Sequence, residues 1–454
     1  MVCPLAVAAA HAQPSVGFFA VCHRRSNNAR AGRSMGSILR AAYKRRGKMY
    51  GPPLCRKRKL RRECMKRRSF LKTVGAAGLA VGATPAWSMS YVADRQGTEP
   101  GSSLTDKAPG QASPEKILLK DYRPTSLYKI PVTEVARAKF PVVDMHSHAY
   151  AKTPKEIAEW VKNMDEVGIA KTIILTGATG KEFDDIYRKY AVYPDRFELW
   201  CGFDYTGYDQ PGFGQRAIGA LEKCHEAGAR GVGELHDKGK GLYSDTITAL
   251  GMHPNDARMD SLFERCGQLG MPVSIHVADP IWMYEAMDNT NDGLMNAFYW
   301  RLDNQPDIVG HSGMINILEQ TVKKHASTTF IACHFANLDY DLTRLGEVLE
   351  RHPNLFADIS ARYAETATIP RFVSQFYAKY GDRLLYGTDM GFDKSMYRIT
   401  FRVLETLDEH FYETDTFSYH WSMNGFGLPD EILQKVYRTN AENILTSRGA
   451  RVHA

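Results

Sequence analysis

Acidic side chains are almost missing from the first 72 residues, where Glu63 stands alone against 19 Lys and Arg. The rest of the chain reverses the balance, with 39 bases and 50 acids. The overall charge of +7 therefore belongs to a leader, and an acidic main body argues against a nucleic-acid-binding protein. No C-x-x-C pair occurs, and only Cys201, Cys224, Cys266 and Cys333 lie beyond residue 64. Such wide spacing reads as buried small apolar residues rather than a disulfide framework. No apolar run is long enough to stay as a membrane anchor. Also lacking is a glycine-rich phosphate turn after the first strand-like run, which an open, doubly wound nucleotide-binding sheet would want.

The leader does hold "MKRRSFLKTVGAAGLAVGATPAWS", residues 65–88. Arg67 and Arg68 precede a weakly apolar Gly/Ala run and a small-residue cleavage region, the layout of a secretory signal. The paired arginines resemble the bacterial twin-arginine type. That resemblance implies the twin-arginine export machinery as a partner, a periplasmic or otherwise exported address, and no stable membrane insertion. A signal beginning at residue 65 is explained if Met65 is the true start and residues 1–64 are an over-extended, disordered leader. An organelle transit peptide is the rival reading. Residues 89–138 are rich in Gly, Pro, Ser and Thr and read as a linker.

From Phe140 the pattern changes to short apolar, β-branched runs alternating with amphipathic stretches of helical length. The runs occupy residues 142–148, 171–177, 196–204, 229–235, 272–278, 328–336, 354–360 and 383–389. Eight such units predict the α/β class and a (β/α)8 TIM barrel over residues 139–450. The stretch 278–311, rich in aromatics and Met, reads as an insertion after strand five, either a lid near 280–311 or a packed surface excursion. Trp282, Tyr284 and Tyr299 there either line a pocket for an organic ring or simply pack.

Polar residues at the strand ends carry the chemistry. In "VVDMHSH", His146 and His148 are two apart and share a strand face. Two imidazoles in a closed interior are costly unless they share a divalent cation, to which each gives a nitrogen lone pair. Strand four ends in Glu234, five in His276, six in His334 and eight in Asp389. All six are of metal-ligand type and all sit at the end where barrel enzymes place their chemistry. His236, beside Glu234, is expected to point away from it by strand alternation. His311 and His420 read as loop histidines. Asp358 and Arg362 are left between supporting roles at the site and ordinary hydrogen-bonding or surface ion-pair roles.

This constellation, with "HVADP", "ACHFANL", "NLFADISAR", "LLYGTDMGF" and "RTNAENIL", resembles the amidohydrolase superfamily over residues 140–447. Within it, the resemblance is to the amidohydrolase 2 branch, which includes lactonases and the aminocarboxymuconate-semialdehyde decarboxylase type. The resemblance implies His146, His148, His276 and Asp389 as ligands of a first metal. His334 would be a ligand of a second ion or a proton-transfer residue, making Asp389 and His334 the candidate catalytic pair. Glu234 in "GEL" is similar to the ligand of TatD-type nucleases. One ion is the working expectation, with two if Glu234 reaches the centre. Zinc is the expected metal, with manganese, iron or cobalt suiting the same ligands. The implied activity is hydrolysis of an amide, ester or lactone of a small molecule. The alternative is non-oxidative decarboxylation of a carboxylic acid, and a non-catalytic metal-binding barrel ranks third because the ligand set is complete. Homo-oligomers are common in this family.

Overall fold

In a computed structural model, which describes residues 114–447, each of the eight apolar runs forms a strand. They are β1 Val142–Ser147, β2 Ile169–Leu175, β3 Phe197–Trp200, β4 Val232–Asp237, β5 Val273–Val277, β6 Phe330–Ala332, β7 Leu355–Asp358 and β8 Leu384–Leu385. All pair in parallel, in the orders β1-β2-β3 and β4-β5-β6-β7-β8. Backbone bonds join both seams. Between β3 and β4, Cys201 N donates to Gly231 O at 3.0 Å and Gly233 N to Cys201 O at 2.8 Å. Between β8 and β1, Met145 N donates to Tyr386 O at 2.9 Å and Thr388 N to His146 O at 3.1 Å. With helices between the strands, this is the closed (β/α)8 barrel that the alternation predicts.

Local chemistry sets the helix limits. Helix Pro154–Val167 starts at a capping box, Thr153 with Glu156, has Pro154 in its first turn, and stops at Gly168 with φ 94°. Its buried Ile157, Trp160, Met164 and Val167 recur every three or four residues and face the sheet. Trp160 is fully buried, stacks on Phe392 at 4.9 Å between ring centres, and donates to Tyr397 Oη at 3.0 Å.

The core has two layers. An outer one joins strand residues such as Val142, Ile174, Val273 and Leu355 to the helices. A smaller one holds Val143, Met145, Ile173, Leu175, Trp200, Ile331 and Leu385, with Ala441 and Ile444 of helix Asn440–Thr446. Met145 belongs to this smaller cluster although the next residue, His146, turns to the rim; the β1–β2 register shifts between Asp144 and Ser147. A local irregularity therefore aims the first histidine.

The insertion after β5 contains only short helical turns, Ile281–Met283, Leu294–Ala297 and Phe298–Trp300, before helix His311–Lys324. It docks on the rim where Val309 N donates to Gly239 O at 2.9 Å and Tyr284 Oη to Lys238 O at 3.2 Å. Gly239 is needed there, because a Cβ would lie 2.5 Å from Val309 O and φ is +113°. The segment read as a linker, 89–138, is bonded to the barrel at its end: Thr133 N and Oγ1 donate to Asp408 at 2.8 and 2.7 Å. The leader 1–64, the signal 65–88 and residues 89–113 lie outside the described residues. Cys201, Cys224, Cys266 and Cys333 are all buried and unbridged. Among the described residues no helix is long and apolar enough to cross a membrane.

Trp160→Ala removes the anchor of the first helix and should cost about 3–5 kcal/mol. The shift of the urea midpoint at constant slope measures it; a loss below about 1 kcal/mol would mean that this helix is held elsewhere.

Candidate metal centre

The exits of β5 to β8 turn sharply. Ala278 (φ 62°), His334 (φ 60°), Ala361 (φ 50°) and Asp389 (φ 55°) are all left-handed without being glycine, which costs about 1–2 kcal/mol each. Specific bonds hold them: His334 N donates to Asp358 Oδ1 at 3.0 Å and Asp389 N to His146 O at 2.9 Å. Strain of this kind collects at functional sites.

The structure brings His146, His148, Glu234, His276, His334 and Asp389 together on one rim. Glu234, only 5% exposed, stands in the middle. Its Oε2 lies 3.4 Å from His146 Nε2 and 3.3 Å from His148 Nε2. Its Oε1 lies 2.6 Å from His276 Nδ1 and 3.5 Å from His334 Nε2. Asp389 reaches the same rings, with Oδ1 3.0 Å from His148 Nε2 and 3.7 Å from His146 Nε2, and Oδ2 3.7 Å from His334 Nε2.

Outer bonds fix the rings. His148 Nδ1 donates to Leu175 O at 2.8 Å and His334 Nδ1 to Ser360 O at 2.9 Å. A carbonyl only accepts, so each Nδ1 carries the hydrogen and each neutral ring presents a lone pair at Nε2. His146 Nδ1 donates to Asp358 Oδ2 at 2.9 Å. His276 Nε2 meets Asp279 Oδ1 at 3.1 Å, and Asp279 pairs with Lys238 at 2.8 Å. The inward lone pairs thus face carboxylate oxygens, acceptor against acceptor. His146 Nε2, Glu234 Oε1 and His276 Nδ1 are buried without a hydrogen-bond partner, a costly state unless a cation lies between them. The residues fit one: His146–His148–Glu234, Glu234–His276–His334 and His146–His334–Asp389 each place three ligand atoms within 4.8 Å of one another.

The charges point the same way. Burial opposes a proton on His148, but Asp389 and Glu234 outweigh it and raise its pKa to about 10. His146 is raised too, against burial, by Asp358, Glu234 and Asp389. His276 rises against burial through Glu234 and Asp279. Burial would push Glu234 and Asp389 up, yet the surrounding imidazoles hold both well below the usual carboxylate range. His334 goes the other way, down to about 4, from burial, His276 and Arg362. Three rings thus favour a proton more than a free imidazole does, and a divalent ion at the same lone pairs would take the place of such protons.

Several expectations change. His236 does not point away from Glu234: its Nε2 lies 2.9 Å from Glu234 Oε2. The physical reason is the one that pairs His146 with His148, since positions two apart share a face. His311 is not a loop histidine; it is buried at a helix start, with Nε2 donating to Asn337 O at 2.8 Å. His420 does lie in a loop, against Trp421. Arg362 makes no surface ion pair: it is buried, donates to Asn337 Oδ1 at 2.6 Å and faces Asp339 and Glu365. Asp358 supports the site, through His146 and the His334 backbone. Tyr150 was given no role by sequence, although it continues the 146, 148, 150 spacing; its Oη donates to Asp389 Oδ1 at 3.1 Å. A cavity of about 660 Å³ opens beside the centre, lined by His148, Tyr150, Glu234, His236 and Tyr243 among others. Trp282, Tyr284 and Tyr299 are not among its walls.

A family model described as Amidohydrolase matches residues 83–446. Solved structures with a similar course include an uncharacterised TIM-barrel protein from Bordetella bronchiseptica, at 14% identity over 68% of this chain and 100% of the other, TM-score 0.40. A 2,6-dihydroxybenzoate decarboxylase aligns at 15% identity over 67% and 99%, TM-score 0.42. A Pseudomonas putida protein provisionally identified as a 2-pyrone-4,6-dicarboxylic acid hydrolase aligns at 13% over 67% and 97%, TM-score 0.39. The comparison with curated proteins returns no match.

Asp358→Asn leaves the ligands in place but loosens the His146 ring. Metal affinity, read by competition with a chromophoric chelator, should fall about 10–100-fold. Unchanged affinity would show that the ring is set by something else.

Proposed function

The chain belongs to the amidohydrolase family, and from that premise we propose a metal-dependent hydrolase that opens an amide, ester or lactone bond in a small organic substrate. The observation that carries the proposal is the division of Glu234, whose Oε2 faces His146 and His148 while Oε1 faces His276 and His334. That division supports two ions, where sequence favoured one: His146, His148, Glu234 and Asp389 would hold one, and Glu234, His276 and His334 the other. The nitrogen and oxygen ligands suit zinc, and also manganese, iron or cobalt. When bound, zinc-class ions supply the positive charge that brings the pKa of water from about 15.7 to about 7 and polarises a carbonyl.

The protein's own groups do the rest. Asp389 stays ionised among imidazoles and is the base that takes the proton of the attacking water and returns it to the leaving group. Tyr150, donating to Asp389 Oδ1, orients that carboxylate. His334 fits a ligand better than a proton carrier, because its Nδ1 hydrogen is committed to Ser360 O. Asp279 and Asp358 hold His276 and His146 from behind.

Hydrolysis is favoured over decarboxylation by charge. A carboxylic acid substrate wants a cation beside the metal, and Arg362 is already engaged by Asn337, Asp339 and Glu365. The twin-arginine pair Arg67–Arg68 supports delivery of the folded enzyme to the periplasm.

A screen of lactones, esters and amides by proton release tests the reading, with aromatic acids run alongside for carbon dioxide. Chelator treatment should abolish turnover and zinc should restore it. Asp389→Asn should lower kcat by about 10²–10⁴-fold. Carbon dioxide release from acids, with no hydrolysis of any ester, amide or lactone, would replace this proposal with the decarboxylase.

A further inference from the structure

Three points along the insertion after β5 converge on one place at the rim. Tyr284 Oη donates to Lys238 O at 3.2 Å, and Val309 N donates to Gly239 O at 2.9 Å. The centre of the Trp300 ring lies 5.7 Å from Lys238 Nζ, a distance at which an aromatic face attracts an ammonium group. All three contacts fall on Lys238 and its neighbour, at the exit of β4.

That exit is itself firmly bonded. Asp237 Oδ1 accepts from Gly239 N at 2.9 Å and from Gly241 N at 3.1 Å, and its Oδ2 lies 2.6 Å from His253 Nδ1. Ala278 N donates to Asp237 O at 2.9 Å, which fastens the exit of β5 to that of β4. This bond, with the left-handed turn at Ala278, sets Asp279 beside Lys238. Lys238 Nζ reaches Asp279 Oδ2 at 2.8 Å, and Asp279 Oδ1 reaches His276 Nε2 at 3.1 Å. His276 turns its other nitrogen to Glu234 and the centre. A continuous chain thus runs from the insertion to a candidate metal ligand.

Asp279 is only 4% exposed, and a carboxylate buried that far needs a counter-charge. Among the described residues Lys238 is its only ion-pair partner apart from the His276 ring. A carboxylate bonded to the outer nitrogen of a metal-binding imidazole fixes the ring and makes the inner nitrogen a better donor. We propose that Lys238 is a positioning residue: through Asp279 it holds the His276 ring on its metal, and through Trp300 it ties that hold to the seating of the insertion. The inference rests on the metal centre of the reading above, and on neither its reaction nor its substrate.

The test is zinc binding to the metal-stripped full chain, read by competition with a chromophoric chelator. Where the parent binds two ions, Lys238→Met should weaken one by about tenfold or more and leave the other nearly unchanged. Lys238→Arg, which keeps the charge, should restore most of the loss. Trp300→Ala, at an exposed position, should weaken the same ion by about two- to fivefold. It should have no further effect once Lys238 is Met, because the two changes then break one chain. A thermal melt of each metal-free variant checks its folding. Affinity unmoved in Lys238→Met or in Trp300→Ala overturns the inference. So does an equal loss of both ions, a loss that Arg does not restore, or a Trp300→Ala effect that persists without Lys238. A parent that binds one ion overturns the two-ion reading, while a tenfold loss of that ion in Lys238→Met, restored by Arg, sustains this inference. A parent that binds none overturns both.

Discussion

A carboxylate buried among imidazoles, inside a closed barrel, needs shared positive charge to exist there. Glu234 is in that position, with rings on or just past β1, β4, β5 and β6 around it. Removing an ionised carboxylate from water costs several kcal/mol even after relaxation. The surrounding lone pairs cannot repay it, being acceptors themselves. Protons could do so in part, since the carboxylates raise the proton affinity of His146, His148 and His276. A divalent ion would do so more fully, and it would bring the Lewis acidity that the proposed hydrolysis requires.

The rest of the barrel serves that requirement. Closure through the β3–β4 and β8–β1 seams brings five strand ends to one rim. Left-handed residues at the exits of β5 to β8 turn the chain at once, so His334 and Asp389 stay close to the ends of β6 and β8. Behind them, Asp358, Ser360 and Asp279 hold the rings from the side away from the centre. The insertion docks through Lys238 and Gly239, while the open cavity belongs to the segments after β1 to β4. The candidate ligands and the open cavity thus occupy overlapping but different parts of the rim.

Much of this was legible in one dimension. Parallel strands are buried on both faces and read as continuous apolar runs, so all eight could be found; a histidine or carboxylate that ends such a run stands out against it. His236 was equally legible and was misjudged, because Leu235 lies between it and Glu234 and places the two on one face. Tyr150 could have been found by the same spacing. Ser360 has no such mark, since it acts through His334 and His146, rings supplied by other strands; Asp279 follows His276 by three residues, and only the sharp turn at the β5 exit brings it back onto that ring.

The amino-acid order by itself determined the alternation of elements and the identity of the candidate ligands on the rim, because both are written within a few residues of one another. Tertiary structure alone decided how Glu234 divides its oxygens, that Arg362 is engaged, and which side of the rim stays open. Those depend on the register shift at β1, on the docking of the 278–311 insertion, and on loops that meet only when the barrel closes. Local patterns record what each strand offers; only closure brings the offered groups within reach of one another.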